Sequence, residues 1–452
     1  MSSSDTARSR RGLLLVLSGN MLVDALEVST AMVALPSVAA DLHLGISDSS
    51  WLVTGFALGF GGLLLLGNRL VAALGARRVY LAALLVFALA SLAAALAPGP
   101  GLLVAARFVK GFCVALTAPT GLAIIASTHP EGPARNRAVS VYSLFGAAGF
   151  SVGLVLAGIL TGVSWRWTMA LPAPVVLLLL LLAVRVIPPD PPRGGAARRL
   201  DLPGAASLAG GLALLLVAIG HGAPAAWAGA ALLLGTFVVV EIRTPDPLAD
   251  LGGVRSAGLL RSALGAALLN GTFWGFLFVM MTRWQGTEHR SALVAALWVL
   301  PASLLLGLAA PLSARFLHRV GAARLILLGA VAATAGYALL LPLEAGDGYP
   351  AHVLPGVLLV GMGFVGAFSA LHVQAVSGVP APRQALAGGI YQSCVQIGGA
   401  ILLAVVAAVA GRSPQHAMEL VTAAAAVGVG IALTALLPER AVRERPPALV
   451  RR

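Results

Sequence analysis

Apolar residues along this chain come in long runs, broken at intervals by short clusters rich in arginine, glycine or proline. A run of roughly 20 apolar residues is the length that crosses a bilayer as a helix. Fourteen such runs are predicted, at about 12–35, 50–71, 79–98, 101–127, 138–162, 165–187, 203–221, 224–241, 258–282, 292–314, 323–343, 351–378, 385–410 and 416–437. The pair within 203–241 is short. Without it twelve runs remain, and the two termini still share a side.

The breaks carry the charge. Of the 30 Lys and Arg residues, 24 fall on one side of the predicted layer and 4 on the other (Arg166, Arg283, Arg290 and Arg412). The remaining 2, Arg107 and Lys110, fall inside a helix. Basic residues accumulate on the cytoplasmic side of membrane proteins. Both termini are therefore expected in the cytoplasm of a multi-pass protein of the cell (inner) membrane. The same asymmetry accounts for a net charge of +13 without a nucleic-acid partner.

Composition agrees. A chain 59% hydrophobic and 10% charged, with mean hydropathy +0.93, cannot hide its apolar residues in a water-soluble core. A soluble enzyme, a disordered chain and a nucleic-acid-binding domain are excluded. Cys113 and Cys394 both lie in apolar runs and predict no disulfide framework. The first run carries Asp24 and Glu27 and lacks a small-residue cleavage site, so it reads as a retained helix.

Two halves are legible. The turns GNRLVAALGARR at 67–78 and APLSARFLHRVGAAR at 310–324 each follow the second run of a six-run set. Each ends in glycine and a short basic stretch, the kind of internal symmetry left by duplicated transporter halves. The expected organisation is an N-terminal six-helix bundle at 1–187, then a linker with two inserted helices at 188–256. A C-terminal six-helix bundle at 257–437 and a cytoplasmic tail at 438–452 complete it. The linker 188–202 is rich in Pro, Gly and Arg.

Ionisable groups inside a bilayer are costly and mark function by default. Helix one carries Asn20, Asp24 and Glu27 at spacings of four and three, which share a face. Helix four carries Arg107 and Lys110, also co-facial. An acidic and a basic face in one bundle predict mutual neutralisation. Burial disfavours a charged carboxyl and a nearby cation favours it, so a group under both influences can exchange a proton as its surroundings change. Glu27 is the leading candidate for proton coupling, with Asp24 competing and Arg107 and Lys110 as partners. Lys110 is the only lysine in the chain. It reads either as a fixed partner of Asp24 or Glu27, or as a titrating or substrate-binding group.

Asn270, Trp274, Arg283, His372, Gln374, Gln392 and Gln396 lie in the second half. Each alone reads first as a packing hydrogen bond between helices. Together with Asn20, Glu27 and Lys110 they are candidates for the walls of a substrate cavity. Trp165 and Trp167 are expected to be interfacial anchors, and Glu241 to pair with a nearby Arg. Gly146, Gly149, Gly153 and Gly158 line helix five, where small residues allow close approach, sliding or bending. Gly361-Met-Gly363 does not follow a strand and is no dinucleotide loop. No zinc spacing, nucleotide loop or serine-nucleophile motif stands out, so no cofactor or metal is expected and no catalytic residue is assigned.

These motifs resemble the major facilitator superfamily, and within it the fourteen-spanner drug:proton antiporters of the EmrB/QacA type. The stretch LEVSTAMVALPSVAADL is similar to that family's acidic helix-one motif, with Glu27 where the family usually has Asp. Trp51 opens a family-like helix two, and GNRLVAALGARRVYL resembles the loop 2–3 motif. Arg107-Phe-Val-Lys-Gly111 resembles the helix-four motif, and GAAGFSVGLVLAGILTGVSWRW the helix-five antiporter motif. The resemblance spans nearly the whole chain. It implies an all-α fold of two six-helix bundles plus two inserted helices. It also implies gating roles for Arg77, Arg78, Gly146, Gly149 and Gly153. There are departures. Ala72 stands where the loop motif has Asp, Lys110 where helix four has Gln, and Leu154 where helix five has Pro.

Two functions follow. The first is proton-coupled efflux of an amphipathic drug or secondary metabolite by alternating access, as in antibiotic resistance. The partners are then a small molecule, protons and the bilayer, and the protein is expected to be a monomer. The second is a non-pumping role centred on Lys110: a membrane-embedded enzyme, a facilitator or a sensor, since fold does not fix function.

Overall fold

The computed structural model describes residues 3–190, 200–250, 256–342 and 348–436. The expected linker 188–202 therefore lies mostly outside the described residues, and the expected tail 438–452 lies wholly outside them. Among the described residues, thirteen helices are long and apolar enough to span a bilayer. The expected tenth span is also helical, at Ala292–Val320, with a described apolar stretch Ala292–Leu305. A lipid-embedded backbone must satisfy its own hydrogen bonds, and among the described residues it does so by helix alone.

The spans are α1 (Ser3–Asp41), α2 (Trp51–Leu74), α3 (Ala76–Ala95), α4 (Pro100–Thr128), α5 (Pro133–Thr161) and α6 (Trp165–Val186). They continue with α7 (Leu202–His221), α8 (Pro224–Arg243), α9 (Ala257–Met281) and α10 (Ala292–Val320). The last four are α11 (Ala322–Leu339), α12 (Leu354–Ser377), α13 (Gln384–Ala410) and α14 (Pro414–Thr434). Proline stands in the first turn of α4, α5, α7, α8 and α14, where its missing N–H costs nothing. The repeat seen in the sequence has a backbone counterpart. Gly75, between α2 and α3, has φ 99° and ψ 149°, and Gly321, between α10 and α11, has φ 84° and ψ 154°. A side chain would strain both turns.

Helices α1–α6 pack as one bundle and α9–α14 as another. Glycine sets the closest approach in the first. A Cβ at Gly59 of α2 would fall on the Phe108 carbonyl, and one at Gly111 of α4 on the Phe56 carbonyl. This crossing holds the Arg107–Lys110 turn against α2. Gly149 lets α5 ride on Ala25 and the Leu22 carbonyl of α1.

The bundles meet along α2–α13 and α5–α10. Gly61 abuts Gln396, and the Ser151 hydroxyl donates to Ser303 Oγ at 2.9 Å. At the arginine-poor end, Gln285 Nε2 donates to the Val33 carbonyl at 3.1 Å. There residues 29–35 of α1 and 269–281 of α9 are all buried, so the two bundles are sealed together.

The hairpin α7–α8 sits beside this pair. Helix α7 touches both α2 and α13, while α8 packs on α7 and turns nearly everything else outward. Both ends of the hairpin are fastened to the first bundle or its loops. At the arginine-poor end, Ser47 Oγ donates to the Gly220 carbonyl and His221 Nε2 lies 3.0 Å from Asp48 Oδ1. At the arginine-rich end, Arg69 Nη2 donates to the Asp246 carbonyl at 2.9 Å and to that of Pro247.

Two expectations are corrected. Trp165 is no interfacial anchor: it is buried, and its Nε1 donates to Asp41 at 2.9 Å, while Trp167 is exposed. Among the described residues, Glu241 does not pair with Arg. Its oxygens accept the backbone N–H groups of Leu248 and Ala249 at 3.0 and 3.1 Å, because the chain turns back over it.

Candidate functional site

The acidic face of α1 and the basic face of α4 meet inside the first bundle. Arg107 Nη1 donates to Glu27 Oε2, and its Nη2 to the Glu27 carbonyl at 3.2 Å. Its Nε donates to the Leu52 carbonyl at 2.8 Å, and the guanidinium lies 4.8 Å from the Phe56 ring centre. Lys110 Nζ lies 2.6 Å from Glu27 Oε1 and 5.0 Å from the centre of the Phe87 ring. Glu27 is 1% exposed, and Arg107 and Lys110 are 0% exposed. An ion pair this deep is held by geometry, since removing either partner strands a charge out of water.

Asp24 does not join that pair by contact. Its Oδ2 accepts from Asn20 Nδ2 at 3.0 Å and from Thr117 Oγ1 at 2.8 Å, both uncharged donors. The expected neutralisation therefore falls on Glu27, with two cations on one carboxylate. Asp24 forms a separate polar knot one turn away. Thr117 was not singled out in the sequence. Its position ten residues after Arg107 shows nothing until α1 and α4 are placed side by side.

A second group gathers between α9 and α13. Asn270 Nδ2 donates to the Val395 carbonyl at 3.1 Å, and Gly399 makes room for Asn270 and Trp274. Gln396 is buried, and its Oε1 has no hydrogen-bond partner among the described residues. Beside this group runs a row of aromatic rings that sequence reading missed. Phe150 of α5 meets Phe273 of α9 at 5.8 Å, Phe273 meets Phe364 of α12 at 5.2 Å, and Phe364 stacks on Phe368 at 5.1 Å. The four-residue spacing of Phe364, Phe368 and His372 was the available signal.

Other candidates stand apart from these two groups. His372 is exposed, with its ring edge-on to Tyr391. Gln374 accepts from Ser262 Oγ at 2.9 Å and borders a small cavity among α9, α11, α12 and α14. Gln392 is half-buried. Among the gating candidates, Arg77 is tied within its own bundle. Its N–H reaches Asp190 Oδ1 at 3.0 Å and its Nη2 the Val184 carbonyl at 2.7 Å. Arg78 is exposed. Gly146 faces Met21, and Gly149 and Gly153 face the Leu22–Ser29 stretch of α1. A larger cavity, about 560 Å³, opens at the arginine-poor end between Met280, Arg283, Glu288, Leu341 and Met418. Of the cavity residues expected from the sequence, Arg283 lines it.

Comparison with known proteins supplies the remaining evidence. The sequence model of the Major Facilitator Superfamily matches residues 17–403. The chain is 35% identical to the puromycin resistance protein Pur8 of Streptomyces alboniger, over 86% of this chain and 79% of that one. It is 34% identical to the cephamycin export protein CmcT of Amycolatopsis lactamdurans, over 99% of this chain and 96% of that one. The crystal structure of the nucleoside transporter NupG (a mutant form) superposes with a TM-score of 0.67 at 15% identity. That match covers 94% of this chain and 100% of that one, and it speaks to fold alone.

Proposed function

Because the chain belongs to the Major Facilitator Superfamily, a family of multi-pass membrane transporters, we propose that it exports an amphipathic drug or secondary metabolite in exchange for protons. The bundles at 1–187 and 257–437 rock about a midplane site, with both termini in the cytoplasm, and the protein works as a monomer. Export is supported by relatives whose names specify antibiotic export or resistance and which match most of the chain.

The observation that carries the coupling is Glu27 held between Arg107 and Lys110 in the dry interior of one bundle. A proton entering or leaving such a cluster changes its charge balance, and that change is worth more in a low-dielectric interior than in water. Asp24, Glu27, Arg107 and Lys110 form the coupling site. Asn20 supports it through Asp24. Cargo is met on the other wall, by Asn270, Trp274 and Gln396 with the phenylalanine row, and His372, Gln374 and Gln392 lie further along the path. Glycines 146, 149 and 153 are the surface on which α5 slides over α1. Arg77 braces the turn after α2, and Arg78 faces the cytoplasm beside it. The catalytic reading of Lys110 has no support: its buried amine is flanked by Glu27 and the Phe87 ring.

Proteoliposomes with an entrapped pH dye test this. Under an imposed proton gradient, tetraphenylphosphonium, puromycin and a neutral aromatic antibiotic are added in turn. Proton flux is expected with at least one compound and is lost in Glu27→Gln. Movement of unchanged compound without proton flux would overturn the antiport reading.

A further inference from the structure

We propose that the exchanged proton is carried on Lys110, with Glu27 and Arg107 remaining a fixed ion pair beside it. This assignment rests on the antiport reading above. The contrast between the two cations carries it. Arg107 is anchored four ways: to the Leu52 carbonyl, to the carbonyl and carboxylate of Glu27, and over the Phe56 ring. An arginine keeps its proton in proteins. Lys110 has a single anchor, Glu27 Oε1, and its Nζ has no further acceptor among the described residues. Its other neighbour is the face of Phe87. A lysine amine gives up its proton where an arginine does not.

The groups around Lys110 leave it as the odd charge. Glu27 faces it from α1, and Arg107 and Cys113 lie on its own helix. Asp24 follows one turn away on α1, held by Asn20 and Thr117, with Tyr80 of α3 and Tyr142 of α5 near that carboxyl. Helix α2 contributes Phe56, which is occupied by Arg107. With Glu27 already matched by Arg107, loss of the Lys110 proton leaves a net-neutral pair, with Glu27 Oε1 facing the uncharged amine. Loss of the Glu27 charge by protonation would instead leave two buried cations facing each other, the costlier state. The step is simple. On the cytoplasmic side, water admitted to Nζ takes the proton, the N–H bond breaks and the electron pair stays on nitrogen. On the outer side the lone pair takes a proton from hydronium.

A chain with one lysine allows a direct test. Full-length protein with a lysine-free tag is labelled with [13Cε]lysine in nanodiscs, which yields one signal with no assignment problem. The resonance is expected to move from its ammonium to its amine position across the pH range in which substrate-driven proton flux turns over in proteoliposomes. Lys110→Arg, which keeps the charge and cannot release it, is expected to lose that flux at least tenfold. Its thermal midpoint in detergent reports whether it has folded. A resonance fixed at the ammonium position through that range overturns the assignment, as does wild-type flux in Lys110→Arg. If Lys110→Arg does not fold, the resonance of the wild type decides. A wild type without flux overturns the antiport reading and this assignment with it, whereas flux with a fixed resonance overturns the assignment alone.

Discussion

In the first bundle, α1 and α4 bury Asp24, Glu27, Arg107 and Lys110. In the second, the corresponding α9 and α12 bury Asn270, Trp274, Phe273 and Phe364, with Gln396 beside them on α13. Residues 265–281, 292–312, 354–377 and 384–410 contain no Asp, Glu, Lys or Arg. Two bundles with the same helical plan and the same glycine turn thus differ in the chemistry of their interiors. The difference fits the division of labour proposed above. An interior that balances charges can respond to protons, while one built of amides and rings can hold an apolar molecule without competing for them.

The comparison breaks most visibly through stability. Glu27→Ala strands two cations and is expected to cost about 3–5 kcal/mol, the range for breaking a buried pair. Gln396→Ala in the other bundle loses no hydrogen bond from its Oε1. It should cost under about 1.5 kcal/mol, the upper end for a neutral hydrogen bond. Thermal midpoints in detergent decide, and equal losses would erase the contrast. A smaller effect is expected from Gly111→Ala. Its methyl would press on the Phe56 carbonyl and push the Arg107–Lys110 turn away from α2. Overpacking of this kind costs about 1–3 kcal/mol, and proton flux should fall along with the midpoint. Smaller again is the effect of Ser151→Ala, which removes the hydroxyl link to Ser303 between bundles. It should cost about 0.5–1.5 kcal/mol and leave flux from Glu27 and Lys110 intact, as measured in the same proteoliposomes.

The spans and the charge cluster were legible in the sequence for one reason: a bilayer penalises polarity so steeply that every exception announces itself. Asn20, Asp24 and Glu27 needed only helical spacing, and so did Arg107 and Lys110. Which cation met which carboxylate was not legible, because it depends on how far α1 and α4 slide past each other. Gly59 and Gly111 set the approach of α4 to α2, and through it where Arg107 and Lys110 come to lie. Thr117 stayed hidden for the same reason. The phenylalanine row was hidden differently: in an apolar chain a phenylalanine carries no contrast, and only helix rotation reveals which ones face each other. Glu241 misled because charge pairing is the first thought for a lone acid, whereas two backbone N–H groups of a returning turn satisfied it as well.

The hairpin α7–α8 is moored fore and aft to one hull. Ser47 and Asp48 hold one end and Arg69 the other, while α7 rests against α13 of the second. In the rocking proposed above, the hairpin travels with the first bundle as an outrigger, and the face between α7 and α13 is the bearing on which the second turns.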